Sequence, residues 1–111
     1  MSVVIFDNAV ILNTKKMKYY LRQEQIIYVE SAGKKIIIHT DEDEITIYGA
    51  MKDLEEKLDK GFYRCHRGYL VNLSHITACN GKNLRLDNGD TVIIARDKLK
   101  KFIAEHHNLL Q

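Results

Sequence analysis

The sequence predicts a mostly β fold with eight or more short strands and two helices, and three observations carry that prediction. Proline is absent and isoleucine is abundant, 13 of 111 residues, alongside valine, threonine and six tyrosines. These β-branched and aromatic residues suit a pleated, half-buried surface. Short apolar runs recur between turn-forming residues, and two Asn-Gly pairs, Asn80-Gly81 and Asn88-Gly89, are strong short-range hairpin signals.

The first elements are Val3 to Phe6 and Ala9 to Asn13, two short strands broken by Asp7-Asn8 and followed by the basic stretch Lys15-Lys16-Met17-Lys18. Ile26 to Ser31, Lys35 to Thr40 and Glu44 to Tyr48 read as three strands. Ala32-Gly33-Lys34 and Asp41-Glu42-Asp43 between them are turn-like. Ile45 and Ile47 alternate with Glu44, Thr46 and Tyr48, so one face of that strand is wet. At Met51 the period changes: Met51, Leu54 and Leu58 recur at i, i+3 and i+7, which predicts a three-turn amphipathic helix stopped at Gly61. Phe62 to Cys65 and Tyr69 to Asn72 resume an extended pattern around the polar loop His66-Arg67-Gly68. Ile76 to Cys79, Lys82 to Leu86 and Thr91 to Ala95 then form a meander through type I′ turns at the two Asn-Gly pairs. Leu99, Phe102, Ile103 and His106 mark one face of a closing helix from Lys98 to His106.

No linker, composition shift or internal repeat divides the chain, so residues 1–111 read as one domain. The longest unbroken apolar runs are three or four residues, far short of a membrane span, and no secretory signal is visible. Cys65 and Cys79 are too few for a disulfide scaffold and have no zinc spacing; a reducing cytoplasm fits. No GxSxG elbow, GxGxxG or Walker loop is present, so an enzyme is not expected and no cofactor is implied. His39 with Asp41 to Glu44 lacks the glycine and spaced carboxylates of a calcium loop. His106 and His107, about 100° apart on a helix, do not share a metal comfortably.

The net charge of +2 conceals a polarised distribution. Acids crowd into 41 to 44 and 53 to 59, whereas 15 to 22, 33 to 39, 61 to 72 and 96 to 101 are basic. The loop Arg64-Cys65-His66-Arg67-Gly68 holds two guanidiniums and an imidazole, with a glycine that lets backbone approach a ligand; it suits phosphate or a base edge. Arg96 stands where the last strand meets the last helix. Arg64 and Arg67 also have an alternative in pairing with Glu55 or Glu56, and Lys34-Lys35 in being an ordinary hairpin tip. Tyr69, Leu70, Val71 and Cys65 read as core.

The run Phe62-Tyr63-Arg64-Cys65-His66-Arg67-Gly68-Tyr69-Leu70-Val71-Asn72-Leu73-Ser74-His75-Ile76 is the most distinctive part of the chain. With Ile27-Tyr28-Val29-Glu30-Ser31 before it and Leu84-Arg85-Leu86-Asp87-Asn88-Gly89 and Ile94-Ala95-Arg96 after it, it resembles the LytTR DNA-binding domain, an output domain of response regulators. The similarity runs from about Asn8 to Phe102. It implies about ten short, mainly antiparallel strands in small sheets, with one helix in the middle and one at the C-terminus, reading duplex DNA through loops in successive major grooves. The contacting regions implied are the turn Ala32 to Lys35, the loop Arg64 to Arg67, and Arg96 with Lys98 and Lys100. Within them, Lys34, Lys35, Lys98 and Lys100 are expected on phosphates, Arg67 and Arg96 on base edges, His66 on either, and Gly33 and Arg64 in the contacting turns. This chain departs from the pattern in its short Gly33-Lys34-Lys35 turn and at Arg67-Gly68, where members often carry serine in place of Gly68. Its base preference is therefore expected to be its own.

The family usually sits behind a receiver domain or a membrane sensor, so the chain is expected to be either a free-standing regulator or an excised domain, with a receiver or sensor kinase upstream in the second case. A homodimer on repeated sites is a further expectation. Two other readings use the same residues: a single-stranded nucleic-acid module with Tyr19, Tyr20, Tyr28 and Tyr63 as stacking faces, and a dimeric β interaction or sensor domain, which the modest net charge favours.

Overall fold

The computed structural model describes residues 1–106, and its strands fall into three antiparallel sheets. The first is β1 (Ser2–Phe6), β2 (Ala9–Asn13) and β3 (Lys18–Arg22), in sequential order. The central sheet has the order β6-β5-β4-β8-β7, from β4 (Ile26–Ala32), β5 (Lys35–Thr40), β6 (Glu44–Tyr48), β7 (Phe62–His66) and β8 (Tyr69–Asn72). The third is a meander of β9 (Ile76–Asn80), β10 (Asn83–Leu86) and β11 (Thr91–Ile93). Helix α1 (Met51–Glu55) links β6 to β7, and α2 (Arg96–His106) follows β11.

The central sheet is covered on both faces. Strand β4 shows why: Ile26, Ile27, Tyr28 and Val29 are all buried, the continuous apolar run of a strand with a core on either side. Ile26 and Val29 join Val10, Leu12, Ile36, Ile38, Leu54 and Leu70 beneath the first sheet and α1. Ile27 and Tyr28 join Cys65, Val71, Leu84, Leu86, Val92, Ile94 and Phe102 beneath the third sheet and α2. Two neighbours share a side because the β4–β5 register slips between Ile26 and Tyr28. Burial on this scale contributes about 1.5–3 kcal/mol for each large aliphatic side chain.

Five local expectations need correction. β3 pairs with β2 along its whole length, although Lys18, Tyr20 and Arg22 face solvent and the basic stretch before them disguises the strand. Helix α1 is regular only from Met51 to Glu55; the chain then loosens through Glu56 and Lys57, yet Leu58 N–H still donates to the Leu54 carbonyl at 2.9 Å and Leu58 stays buried. The two Asn-Gly pairs do not form type I′ turns, because among the described residues Asp7 alone has positive φ without being glycine. Asn80 pairs with Asn83, leaving Gly81 (φ 61°) and Lys82 as the turn, while Gly89 (φ 93°) ends a longer loop closed by Leu86 and Asp90. Helix α2 starts two residues earlier than its apolar spacing indicates, at Arg96, and its Ile103 is 43% exposed while Phe102 is buried. His107 lies outside the described residues.

Candidate nucleic-acid interface

The basic segments separated in sequence are drawn to one end of the sheets by backbone pairing. Strands β4 and β5 are joined by a two-residue turn, Gly33-Lys34, in which Gly33 holds φ 69° and a side chain would be strained. Because β8 pairs with β4 from Tyr69 opposite Glu30, the β7–β8 turn lies beside this tip, and Ser31 N–H donates to the Gly68 carbonyl at 3.0 Å. Ala95 N–H donates to the Cys65 carbonyl at 2.7 Å and Ile94 N–H to the Lys82 carbonyl at 2.8 Å, so the start of α2 is fastened to the same region. His66, Lys82, Ala95, Arg96 and Asp97 line one shallow cleft of about 550 Å³.

Within this end the expected site residues divide into two groups. Lys34, Arg67, Arg96 and Lys100 are exposed, and Arg67 and Arg96 form no ion pair among the described residues. Lys35 is half-buried, its Nζ 4.8 Å from the centre of the Tyr48 ring.

Arg64 and Lys98 are differently placed. Arg64 Nη1 meets Glu55 Oε1 at 2.7 Å, its Nε donates to the His66 carbonyl at 3.2 Å and its Nη2 to the Arg67 carbonyl at 2.5 Å. The guanidinium thereby ties α1 to both ends of the His66-Arg67 turn, leaving little of it to offer a ligand. Lys98 Nζ donates to the Arg64 carbonyl at 2.7 Å and sits over the Tyr63 ring, which braces α2 against β7. Arg64 and Lys98 position the loop whose neighbours face outward.

Lys82 lies in the same cleft as Arg96, beyond what the sequence indicates. It follows Gly81 in a hairpin tip whose charge looks ordinary until the fold sets it beside His66. Of the tyrosines weighed as stacking faces, Tyr28 is buried, stacked on His39 with centroids 4.0 Å apart, and its hydroxyl donates to Asp90 at 3.0 Å. Burial and that carboxylate raise its phenol well above the ordinary value. Tyr63 packs on Phe102 and His106.

Cys65 is fully buried, with Sγ near the Tyr69 and Ile93 carbonyls, and burial pushes its thiol up to about 12. His39 is held by Glu30 at 2.6 Å and Glu44 at 3.5 Å. No group of three or more histidine, cysteine or carboxylate side chains is placed to hold a metal among the described residues, and no helix there is long and apolar enough to cross a membrane.

Known proteins resemble this chain in sequence and in fold. The family model described as the LytTr DNA-binding domain matches residues 8–105. Accessory gene regulator protein A of Staphylococcus epidermidis is 30% identical over 86 residues, covering 74% of this chain and 36% of that protein. Its Staphylococcus aureus counterpart is 35% identical over 65 residues, 57% of this chain and 27% of that protein. The chain thus spans about a third of the length of these curated relatives. A solved LytTr DNA-binding domain from Bacillus cereus superposes with a TM-score of 0.73 at 27% identity, covering 89% of this chain and 96% of that one.

Proposed function

The chain belongs to the LytTR family of DNA-binding domains, and on that footing we propose that it recognises specific duplex sites as the output module of a transcription regulator, reading successive major grooves through loops. The observation that carries this reading is the gathering of the Gly33 turn, the His66-Arg67-Gly68 turn and Arg96 at one end of the molecule, with Arg67 and Arg96 exposed. A guanidinium matches the O6 and N7 acceptors of guanine, so Arg67 and Arg96 take the base edges. His66 lines the cleft it shares with Arg96 and serves there as a hydrogen-bond donor. Lys34, Lys35, Lys82 and Lys100 neutralise phosphates and set affinity and register. The work is binding alone, with no bond made or broken.

Paired domains on repeated sites, a receiver or sensor kinase acting through the rest of a longer regulator, and a cytoplasmic setting complete the reading. The regulator names and greater length of the relatives support a longer regulator around this domain; the pairing and the cytoplasmic setting are proposed with it.

Selection of sites from random duplexes followed by gel-shift titration tests it. Arg96→Ala is expected to cost about 1–3 kcal/mol at one base position, whereas Lys100→Ala weakens all sequences alike and lowers the salt slope by about one. Equal losses for Arg96→Ala on selected and random duplexes defeat the base-reading role. Contacts in two successive grooves also favour a bent duplex, which circular-permutation gels measure. Tighter binding to single strands than to duplex reverses the choice of ligand.

A further inference from the structure

A second group of unpaired cations lies outside the three contacting segments. The turn between β2 and β3 is held by three hydrogen bonds between Thr14 and Met17: N–H to carbonyl at 3.0 Å, hydroxyl to the same carbonyl at 2.7 Å, and Met17 N–H to the hydroxyl at 3.0 Å. It holds Lys15 and Lys16 in solvent on a closed loop rather than a floppy one. Together with Lys35, Tyr19, Tyr48 and Thr46 they line a trough of about 550 Å³ between the first and central sheets, and no carboxylate borders it.

The trough is continuous with the interface described above. Lys35 immediately follows the Gly33-Lys34 turn, and the Lys34 carbonyl accepts from Gly49 N–H at 3.1 Å, next to the 68%-exposed Tyr48 ring. Sheets stack about 10 Å apart, so the two outer sheets, whose turns carry Lys15-Lys16 and Lys82, are separated by roughly 20 Å across the central sheet. That is more than half of the roughly 34 Å rise of one duplex turn.

We propose that this trough grips the sugar-phosphate backbone of the same duplex beyond the stretch read by Arg67 and Arg96. Lys15 and Lys16 bind phosphates, and the exposed Tyr48 face lies against the deoxyribose. The assignment rests on the duplex-binding reading. Three cations with no acid among them, on a surface already continuous with the candidate interface, fit an extended polyanion better than a compact ligand. The contact carries affinity but no base information, since it reaches the backbone alone.

The test compares wild type, the double variant Lys15→Gln with Lys16→Gln, and Arg96→Ala by fluorescence anisotropy over a salt series. Two probes are used: a selected site with long flanks and the same site trimmed to its core. Both lysines are exposed turn residues, so the double variant keeps the fold, which circular dichroism checks. On the long duplex the double variant is expected to bind roughly tenfold or more weakly near about 0.1 M salt and to lose about 1.8 from the salt slope, at about 0.9 per phosphate. Its preference for the selected over a random sequence is unchanged, and on the trimmed duplex it matches wild type.

Wild-type affinity and slope for the double variant on the long duplex overturn the proposal. If Arg96→Ala has meanwhile lost discrimination, the base-reading assignment survives that result; if neither variant responds, both fall. A nucleoside monophosphate that competes with the flanks but not with the trimmed core assigns the trough to a small ligand and also overturns it.

Discussion

The backbone N–H of Gly68 donates to Nδ1 of His66 at 3.0 Å. An amide N–H can only donate, so Nδ1 is the acceptor, and the neutral ring carries its proton on Nε2. The tautomer is therefore set by the backbone of the turn, and a donor of fixed direction is presented in the cleft shared with Arg96. His66→Ala is expected to weaken duplex binding by about 1.5–3 kcal/mol, the range for a hydrogen bond to a charged group, with the melting temperature nearly unchanged. Anisotropy titration beside thermal unfolding measures both, and an affinity loss matched by a comparable loss of stability would assign the histidine to the turn alone.

The Arg64–Glu55 pair yields a prediction whose sign separates two ideas. By charge alone, removing an acid from a basic surface strengthens DNA binding. By position, Glu55→Ala frees the guanidinium that holds the His66 and Arg67 carbonyls, and binding weakens. Both partners are partly solvated, so the pair itself is worth about 0.2–1 kcal/mol. A two- to fivefold weakening on specific duplex is expected, and tighter binding sinks the positioning role. Arg64→Lys is expected to behave like Glu55→Ala, since an ammonium cannot span three acceptors in a plane.

These contacts mark where sequence patterns stop being informative. The alternation of Ile45 and Ile47 and the buried run from Ile26 to Val29 report a strand's own faces, so β4, β5 and β6 are legible from local order alone. The i, i+3, i+7 spacing likewise places Met51, Leu54 and Leu58 inward even though regular helix ends at Glu55. What is not local is not legible. Strand β3 hides because only Tyr19 and Leu21 turn inward and its pairing partner is β2. The pairing of Arg64 with Glu55 is one of the alternatives the charge pattern offers, and the structure adopts it; the role of Lys98 rests on the Arg64 carbonyl, which lies far from it in sequence and gives no local signal. Lys82 gains its setting from a hydrogen bond to Ile94 across the third sheet. The basic segments are visible in the string; which of their charges remain free is decided by tertiary contacts.

Cys65 contributes to the alkaline limit, alongside Tyr28, whose phenol is also raised by burial. Its thiol is held at about 12 in the folded protein against about 8.5 in the unfolded chain. Between those values the unfolded state has released a proton that the native state keeps, so stability falls as pH rises, by up to about 1.4 kcal/mol per pH unit. Below about pH 8.5 the group has no effect. Urea titrations from about pH 8 to 11 are expected to show this slope in wild type and a shallower one in Cys65→Ala, whose fixed packing loss is present at every pH. Parallel curves for the two proteins exclude Cys65 as the source.

Helix α2 carries Arg96 and Lys98 yet is anchored chiefly by one residue. Phe102 is buried, with ring centroids 5.2 Å from Tyr63 and 4.7 Å from His106, while Ile103 is 43% exposed and Leu99 half-buried. Phe102→Ala removes about 3–5 kcal/mol, a large part of the about 5–15 kcal/mol that holds a domain of this kind, so it is too blunt a probe. Phe102→Leu retains most of the apolar volume and is expected to keep the sheets intact by circular dichroism. The shallower packing loosens α2 first, because the helix has few other apolar contacts, and the Lys98–Arg64 contact loosens with it. Duplex affinity is then expected to fall several-fold at a temperature where the protein is still folded, with faster amide exchange confined to residues 96 to 106. Faster exchange spread evenly over all three sheets, or affinity unchanged with α2 loosened, shows that the helix does not place the interface.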